Sequence, residues 1–225
     1  MSEPLNGDLA ARVVIDAKSL PWAASPSGTV WRRRLHRVGP PESGQVTSIV
    51  RYERGSTFPM HDHPEGEEIL VLEGVFSDQH GDWPAGTYLL NPEGFRHAPF
   101  SREGCLLFVK LRQFPGRERR HVAADTQAIP WVMEAGRELK PLYSQEGYTD
   151  RMYLERLRAD GPPAERVYAL GAELLVLQGS FEDEHGRYDA QTWLRMPPGF
   201  RHAPRTTAGC ELYLKEGGFR YLRSA

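Results

Sequence analysis

Two identical hexapeptides constrain this 225-residue chain more than any other feature. Residues 94–99 and 199–204 both read GFRHAP, an offset of 105 (199 − 94). The same offset lays EEILVLEGVF (67–76) over AELLVLQGSF (172–181) and Asp78-Gln79-His80-Gly81 over Asp183-Glu184-His185-Gly186. It also lays Pro92 over Pro197 and GCLLFVK (104–110) over GCELYLK (209–215). Further upstream, Leu20-Pro21-Trp22 echoes Ile129-Pro130-Trp131 at a slightly larger spacing, which implies a small deletion in the second copy. A fixed offset held over this many segments reads as two tandem copies of one module. The boundary falls near Phe114-Pro115-Gly116, giving modules at 1–116 and 117–225, with Arg117, Arg119 and Arg120 as a solvated linker face.

Each module reads as β structure. VTSIVRY (46–52), EEILVLEG (67–74), TYLLN (87–91) and CLLFVKLRQF (105–114) are short runs rich in β-branched and aromatic residues, punctuated by Gly, Pro and Asp. That spacing belongs to a sandwich or barrel. Asp-x-His-Gly at 78–81 and 183–186 reads as a hairpin turn. No sustained 3.6-residue apolar period occurs, so helices are expected to be few and short. The CLLFVKL run lacks alternation, as in a strand covered on both faces.

The chemistry concentrates in GSTFPMHDHPEGEEILVLEG (55–74). His61 and His63, at i and i+2, share one face of an extended strand. The Pro64-Glu65-Gly66 break folds the chain back so that the Glu67 carboxylate meets both imidazoles. Two neutral imidazoles and a carboxylate suit Zn, Fe, Mn, Co or Ni. A fourth ligand is offered by His97, delivered to the same cavity by a tight turn at Pro92 and Gly94.

Gly55-x5-His61-x-His63-x3-Glu67-x6-Gly74, followed by Gly86-x5-Pro92-x-Gly94-x2-His97, resembles both signature motifs of the cupin superfamily. Ser101 stands where the second motif ordinarily closes with Asn. The wording HPEGEE-LVLEG-F-D, PEGFRHAPFS and GCLLFVKL is similar to the cupin domain of ChrR-type anti-sigma factors. The resemblance implies an all-β chain of two tandem jelly-roll barrels (a bicupin). It also implies a divalent metal on His61, His63, Glu67 and His97, with zinc in the anti-sigma protein itself. The helical sigma-binding domain of that family carries its own His and Cys zinc ligands. Residues 1–45 here contain no cysteine and only His36, so sigma-factor binding is not expected.

The second copy departs from the first at the metal positions. His61, His63 and Glu67 fall on Arg166, Tyr168 and Ala172, and only His97 has a counterpart, His202. One metal ion per chain is therefore expected, in the N-terminal module. Glu68 is retained as Glu173 while Glu67 is lost with the histidines, which favours Glu67 as the ligand. His202 reads as a hydrogen-bonded pocket histidine, His80 and His185 as turn residues, and His36 and His121 as surface. Cys105 and Cys210 are equivalent positions and read as buried strand starts in a reduced protein. The Trp31–Arg37 segment reads as a solvated strand or subunit contact in preference to an anion site. Arg96 and Arg201 either line the cavity mouth or brace the turn.

A formal charge of −2 gives no pull towards nucleic acid or anionic lipid. No apolar stretch reaches membrane-spanning length, and the N-terminus lacks a secretory pattern, so a cytoplasmic location is expected. Two functions remain. The resemblance implies a divalent-metal protein that senses or binds a small molecule, with zinc closed in by four ligands. The alternative is an Fe, Mn or Ni dioxygenase or related enzyme acting on a small ketone or dicarbonyl compound, as in some relatives. Phe58, Met60, Leu70, Leu72, Tyr88, Leu90, Phe95 and Phe108 are expected to shape its apolar pocket. A second module kept as packing partner also fits a fold in which single modules pair, and a homodimer is open.

Overall fold

The computed structural model describes residues 3–159, 161 and 165–225. Almost every regular element among them is a strand. The exceptions are two 3-10 turns, Ala17–Ser19 and Gly218–Tyr221. The chain forms two compact units, one of residues 1–7, 20–127 and 223–225, the other of residues 8–19 and 128–222.

In the first unit one sheet runs, edge to edge, Val122–Asp125, Thr87–Asn91, Glu67–Asp78, Cys105–Leu111, Gln45–Tyr52, Val30–Val38 and Ala23–Ala24. The second unit repeats the order with Val13–Asp16, Thr192–Met196, Ala172–Asp183, Cys210–Glu216, Arg151–Leu157, Arg137–Tyr143 and Val132–Glu134. All the pairings are antiparallel, as in a jelly roll. A two-stranded ribbon lies beside each sheet, His61–Asp62 with Arg96–His97 and Arg166–Tyr168 with Phe200–His202.

The units do not follow the repeat boundary at 116/117. The leading strand of the second repeat, Val122–Asp125, pairs with Thr87–Asn91 in the first unit. The leading strand of the first repeat, Val13–Asp16, pairs with Thr192–Met196 in the second. Sequence similarity marks where the copies join, whereas hydrogen bonding gives each sheet an edge strand drawn from the other copy.

A bulge shapes each barrel. Glu67–Asp78 slips register against Cys105–Leu111 between Leu106 and Leu107, and its later half turns to pair with Gly81–Pro84. Gly74 takes φ +71° there, and a Cβ would meet the Gly104 carbonyl at 2.2 Å; at Gly179 it would meet Gly209 at 2.1 Å. Only glycine permits that approach, so one long strand can serve two sheet directions.

The barrel interior of the first unit holds Val30, Val50, Tyr52, Ile69, Val71, Phe76, Leu89, Cys105, Leu107 and Val109. Cys105 and Cys210 are free, buried and first in their strands. Burial pushes their thiols up to about 11 and about 12, so neither is a ready thiolate. His36 differs from its surface reading: it is buried, and its Nδ1 donates to the Asn6 carbonyl at 3.1 Å.

Candidate metal centre

The site is built by two local devices that bring distant residues together. The Gly66 amide donates to the His63 carbonyl at 3.1 Å, closing a turn in which Glu65 and Gly66 adopt φ +58° and +70°. This returns the chain into Glu67–Asp78 with Glu67 facing the barrel interior. The second turn closes where Phe95 N donates to Pro92 O at 3.0 Å, with Gly94 at φ +85°. The two turns are then tied, His63 N donating to Phe95 O and Gly94 N to His63 O, each at 3.0 Å. His97 falls directly opposite His61 in the short ribbon.

The result is a cluster in which ligand atoms of His61, His63 and His97 all lie within 4.8 Å of one another. The Nε2 atoms of His63 and His97 are 2.8 Å apart, and Glu67 Oε2 lies 3.4 and 3.5 Å from them. Ligand atoms about 2.1 Å from one ion stand about 3.0 Å apart at octahedral cis positions and about 3.4 Å apart at tetrahedral ones. The three spacings are close to the edges of such a polyhedron. Neutral imidazole nitrogens hold 2.8 Å only with a proton or a cation between them, so the donor set fits a divalent ion.

The supporting contacts orient these ligands. His61 Nδ1 donates to the Pro59 carbonyl at 2.9 Å, and His97 Nδ1 donates to Asp78 Oδ2 at 3.2 Å. Each bond places the proton on Nδ1 and leaves the Nε2 lone pair aimed at the centre. Asp78 also accepts from the His80 amide at 2.8 Å and from Trp83 Nε1 at 3.3 Å. Burial alone would raise its carboxyl, but these bonds and His97 hold it below the ordinary range. Asn91 Nδ2 donates to Glu67 Oε2 at 2.9 Å. Glu68 points away and accepts from Tyr88 at 2.8 Å.

The imidazoles titrate differently. Burial, opposed by Glu67, lowers His63, which keeps it neutral and ligand-competent. Burial also works against a charged His97, yet Asp78 and Glu67 outweigh it and raise that ring.

Above the ligands the barrel opens. An inner space of about 90 Å³ touches His61, His63, Glu67 and His97. It adjoins an outer cavity of about 330 Å³, and Phe58, His61, His63, Val50 and Val109 border both. Of the eight residues expected to shape the pocket, only Phe58 lines it; Ile69, Leu107, Val109 and Leu111 do so in place of Leu70, Leu72, Tyr88, Leu90 and Phe108. The reason is strand parity. Glu67 faces inward, so 69 and 71 follow it while 70 and 72 point to the other face of the sheet. Met60 is half exposed, and Phe95 packs edge-on against His97 and flat against His121.

The second barrel keeps the scaffold and replaces the donors. His202 Nδ1 donates to Asp183 Oδ2 at 2.8 Å, as His97 does to Asp78. The Tyr168 hydroxyl lies 3.3 Å from His202 Nε2, in the position of His63. Arg166, in the position of His61, is bound by Glu155 Oε1 at 2.9 Å, and Glu155 also takes Arg137 at 2.6 Å. The Glu67–Asn91 pair becomes Ala172 opposite Met196.

Asp78 and Asn91 were absent from the residues singled out by sequence. Both left a trace: Asp78 recurs as Asp183 alongside the retained histidine, and Asn91 disappears together with Glu67.

Compared with known proteins, residues 10–115 and 119–220 each match the model of the ChrR cupin-like domain. No curated protein sequence matches the chain. Among solved structures, a protein from Nostoc punctiforme PCC 73102 provisionally described as a dioxygenase superposes with TM-score 0.73 at 16% identity, covering 93% of this chain and 82% of its own. Protein YlbA from E. coli gives TM-score 0.71 at 13% identity, covering 94% of this chain and 93% of its own. Pirin YhhW from Escherichia coli in complex with nickel(II) gives 0.67 at 16% identity, covering 96% and 100%. At these identities the likeness concerns the fold, that of tandem cupin barrels. No helix among the described residues is long and apolar enough to cross a membrane.

Proposed function

The chain belongs to the ChrR cupin-like domain family, and on that premise we propose that its N-terminal barrel is a mononuclear metal centre that binds and transforms a small organic molecule. His61, His63, Glu67 and His97 would hold the ion, three imidazoles and one carboxylate, in keeping with Fe, Mn, Ni or Zn. The observation that carries the reading is the cavity: His61, His63, Glu67 and His97 border an inner space of about 90 Å³, which shares Val50, Phe58, His61, His63 and Val109 with an outer cavity of about 330 Å³. A purely structural site is closed; one for chemistry leaves positions free.

When bound, such an ion supplies Lewis-acid polarisation or oxygen activation. The chain's own residues do the rest. Asp78 and the Pro59 carbonyl fix the imidazole tautomers. Asn91 holds the Glu67 carboxylate in place. Phe58, Ile69, Leu107 and Val109 exclude water around a ligand's apolar body. Oxygenation of a small carbonyl compound is the reaction class we favour.

The test is metal identity and stoichiometry by elemental mass spectrometry on untagged protein purified without chelator, followed by oxygen-uptake screening with carbonyl compounds. One exchangeable Fe, Mn or Ni per chain, with oxygen uptake, is expected. His63→Ala should empty the site and His202→Ala should leave it full. Equal loss in both variants overturns the one-site reading. One inert zinc per chain would instead favour the sensing role.

A further inference from the structure

The strand Val30–Val38 carries a feature that the metal centre does not use. Arg32 and Arg34 share the inward parity of Val30, and both line the outer cavity with His61 and His63. Their side chains are about four-fifths covered, with exposures of 20% and 19%. They grip a single carboxylate: Glu42 Oε2 accepts from Arg32 at 2.6 Å, and Glu42 Oε1 accepts from Arg34 at 3.0 Å. Glu42 itself is 47% exposed and rides on a surface turn closed by Gly44 N donating to Pro40 O at 2.7 Å.

One carboxylate with each oxygen on a different arginine is the arrangement in which two arginines bind a free carboxylate. Glu42 reaches it from a solvent-facing turn, and its 47% exposed side chain can be rehydrated when it leaves. A ligand carboxylate can displace it. Burial and the neighbouring Arg32 and Arg37 charges hold the Arg34 guanidinium below its ordinary value although Glu42 opposes them.

The second barrel provides a comparison. Arg32 lies opposite Val50 and Arg34 opposite Ser48. The corresponding register partners there are Leu139 opposite Glu155 and Pro141 opposite Tyr153. At these two positions the second barrel has Leu139 and Pro141; its own arginines, Arg137 and Arg166, close on Glu155, which is buried at 2% exposure, whereas the carboxylate held by Arg32 and Arg34 rides on an exposed turn.

We propose that the cavity takes a small carbonyl compound bearing a carboxylate, its anion seated on Arg32 and Arg34 in place of Glu42. Its apolar body lies against Val50, Phe58 and Val109, with the carbonyl end towards the histidines. This deepens the function proposed above by naming the charge of the substrate.

The test is calorimetric titration of the full chain, metal-loaded and chelator-stripped, with two probes of the same shape. Phenylglyoxylate carries the carboxylate, and 1-phenylpropane-1,2-dione replaces it with a neutral acetyl group. Wild-type protein should bind the acid at least tenfold tighter, with affinity falling as salt rises. Arg32→Gln and Arg34→Gln should each erase most of that preference without affecting the dione. Glu42→Gln, a change confined to the surface turn, should tighten the acid several-fold and serves even if an arginine variant folds poorly. Equal binding of the two probes, no detectable binding of the acid, or a preference that survives both arginine substitutions overturns the proposal. Stripped protein separates the two readings. An arginine-dependent preference that persists without metal supports the anion seat even if the metal-centre reading fails. A preference that vanishes on stripping and ignores the arginines places the carboxylate on the metal and refutes the seat.

Discussion

The same aspartate–histidine pair occurs in both barrels, so one substitution made twice separates its structural from its metal-directed role. Asp78→Asn keeps the shape of the side chain and can still accept from the His80 amide. Facing His97 Nδ1 it now offers an amide N–H in one orientation and a weaker, neutral acceptor in the other. The first forces the imidazole proton onto Nε2, where it blocks the metal; the second removes the charge that raises ligand basicity. Losing a supporting partner of this kind costs about 10- to 100-fold in metal affinity, or about 1.4–2.7 kcal/mol. Asp183→Asn breaks the equivalent bond to His202, which is shorter at 2.8 Å. It should cost about 2 kcal/mol of fold stability and nothing in metal affinity, because the other ligand positions there are Arg166, Tyr168 and Ala172. Metal affinity is read by competition against a chromophoric chelator, and stability by thermal melting of stripped protein. Equal metal affinities for the two variants would refute the claim that Asp78 orients a ligand, as would an unchanged affinity in Asp78→Asn.

The acid side of the stability profile follows from Asp183. Burial would raise this carboxyl, but His202, the His185 amide and Tyr188 hold it down at about 2. A depressed carboxylate contributes stability that is complete above the unfolded value near ~3.9 and is lost as pH falls towards 2. The penalty of Asp183→Asn should therefore be full at pH 7 and mostly lost by about pH 2 in urea titrations. Metal affinity should fall below neutral pH by up to about tenfold per pH unit for each proton displaced, since His97 is raised and must lose its proton to ligate; an affinity flat from pH 7.5 to 5.5 would contradict the assignment. Gly74→Ala and Gly179→Ala each force a Cβ to within 2.2 and 2.1 Å of a carbonyl at positive φ, and should each destabilise by more than about 2 kcal/mol in chemical denaturation.

What the sequence revealed depended on whether a residue had a counterpart. The repeat exposed the two modules and the asymmetry between their metal positions, because offset 105 aligns two copies of one fold; the sheet order and the bulges at Gly74 and Gly179 came from the structure. His61, His63 and His97 were legible from spacing, as imidazoles on opposite sides of short turns have little else to do. Pocket-facing residues were misassigned by one position, although the inward Glu67 already set the parity of 69 and 71. The Trp31–Arg37 run reads as a solvated strand before an anion site because arginines stand on both of its faces. Arg33 lies 4.2 Å from the centre of the Trp22 ring while Arg32 and Arg34 turn to the cavity, and composition cannot tell those sides apart. The exchange of leading strands was invisible for a different reason: pairing partners across copies leave no local signal.

In the second barrel an ion-pair cluster stands where the first has its histidines, and its contribution can be tested. Glu155 occupies the register position of Val50 and is 2% exposed, held by Arg137 at 2.6 Å and Arg166 at 2.9 Å. Arg166 stands where His61 would be, and its guanidinium is held by the carboxylate that replaces Val50. Glu155→Val, which restores the residue of the first barrel, leaves Arg166 nearly covered and without this carboxylate, with Arg137 retaining only Glu216 and Tyr153. Breaking a buried pair from one side costs about 3–5 kcal/mol. Glu155→Val with Arg166→His removes both members and should recover well over ~1 kcal/mol of that loss as a coupling energy in a double-mutant cycle. The urea midpoint of each variant measures it. A Glu155→Val protein as stable as wild type would mean that packing, not charge pairing, closes the second barrel.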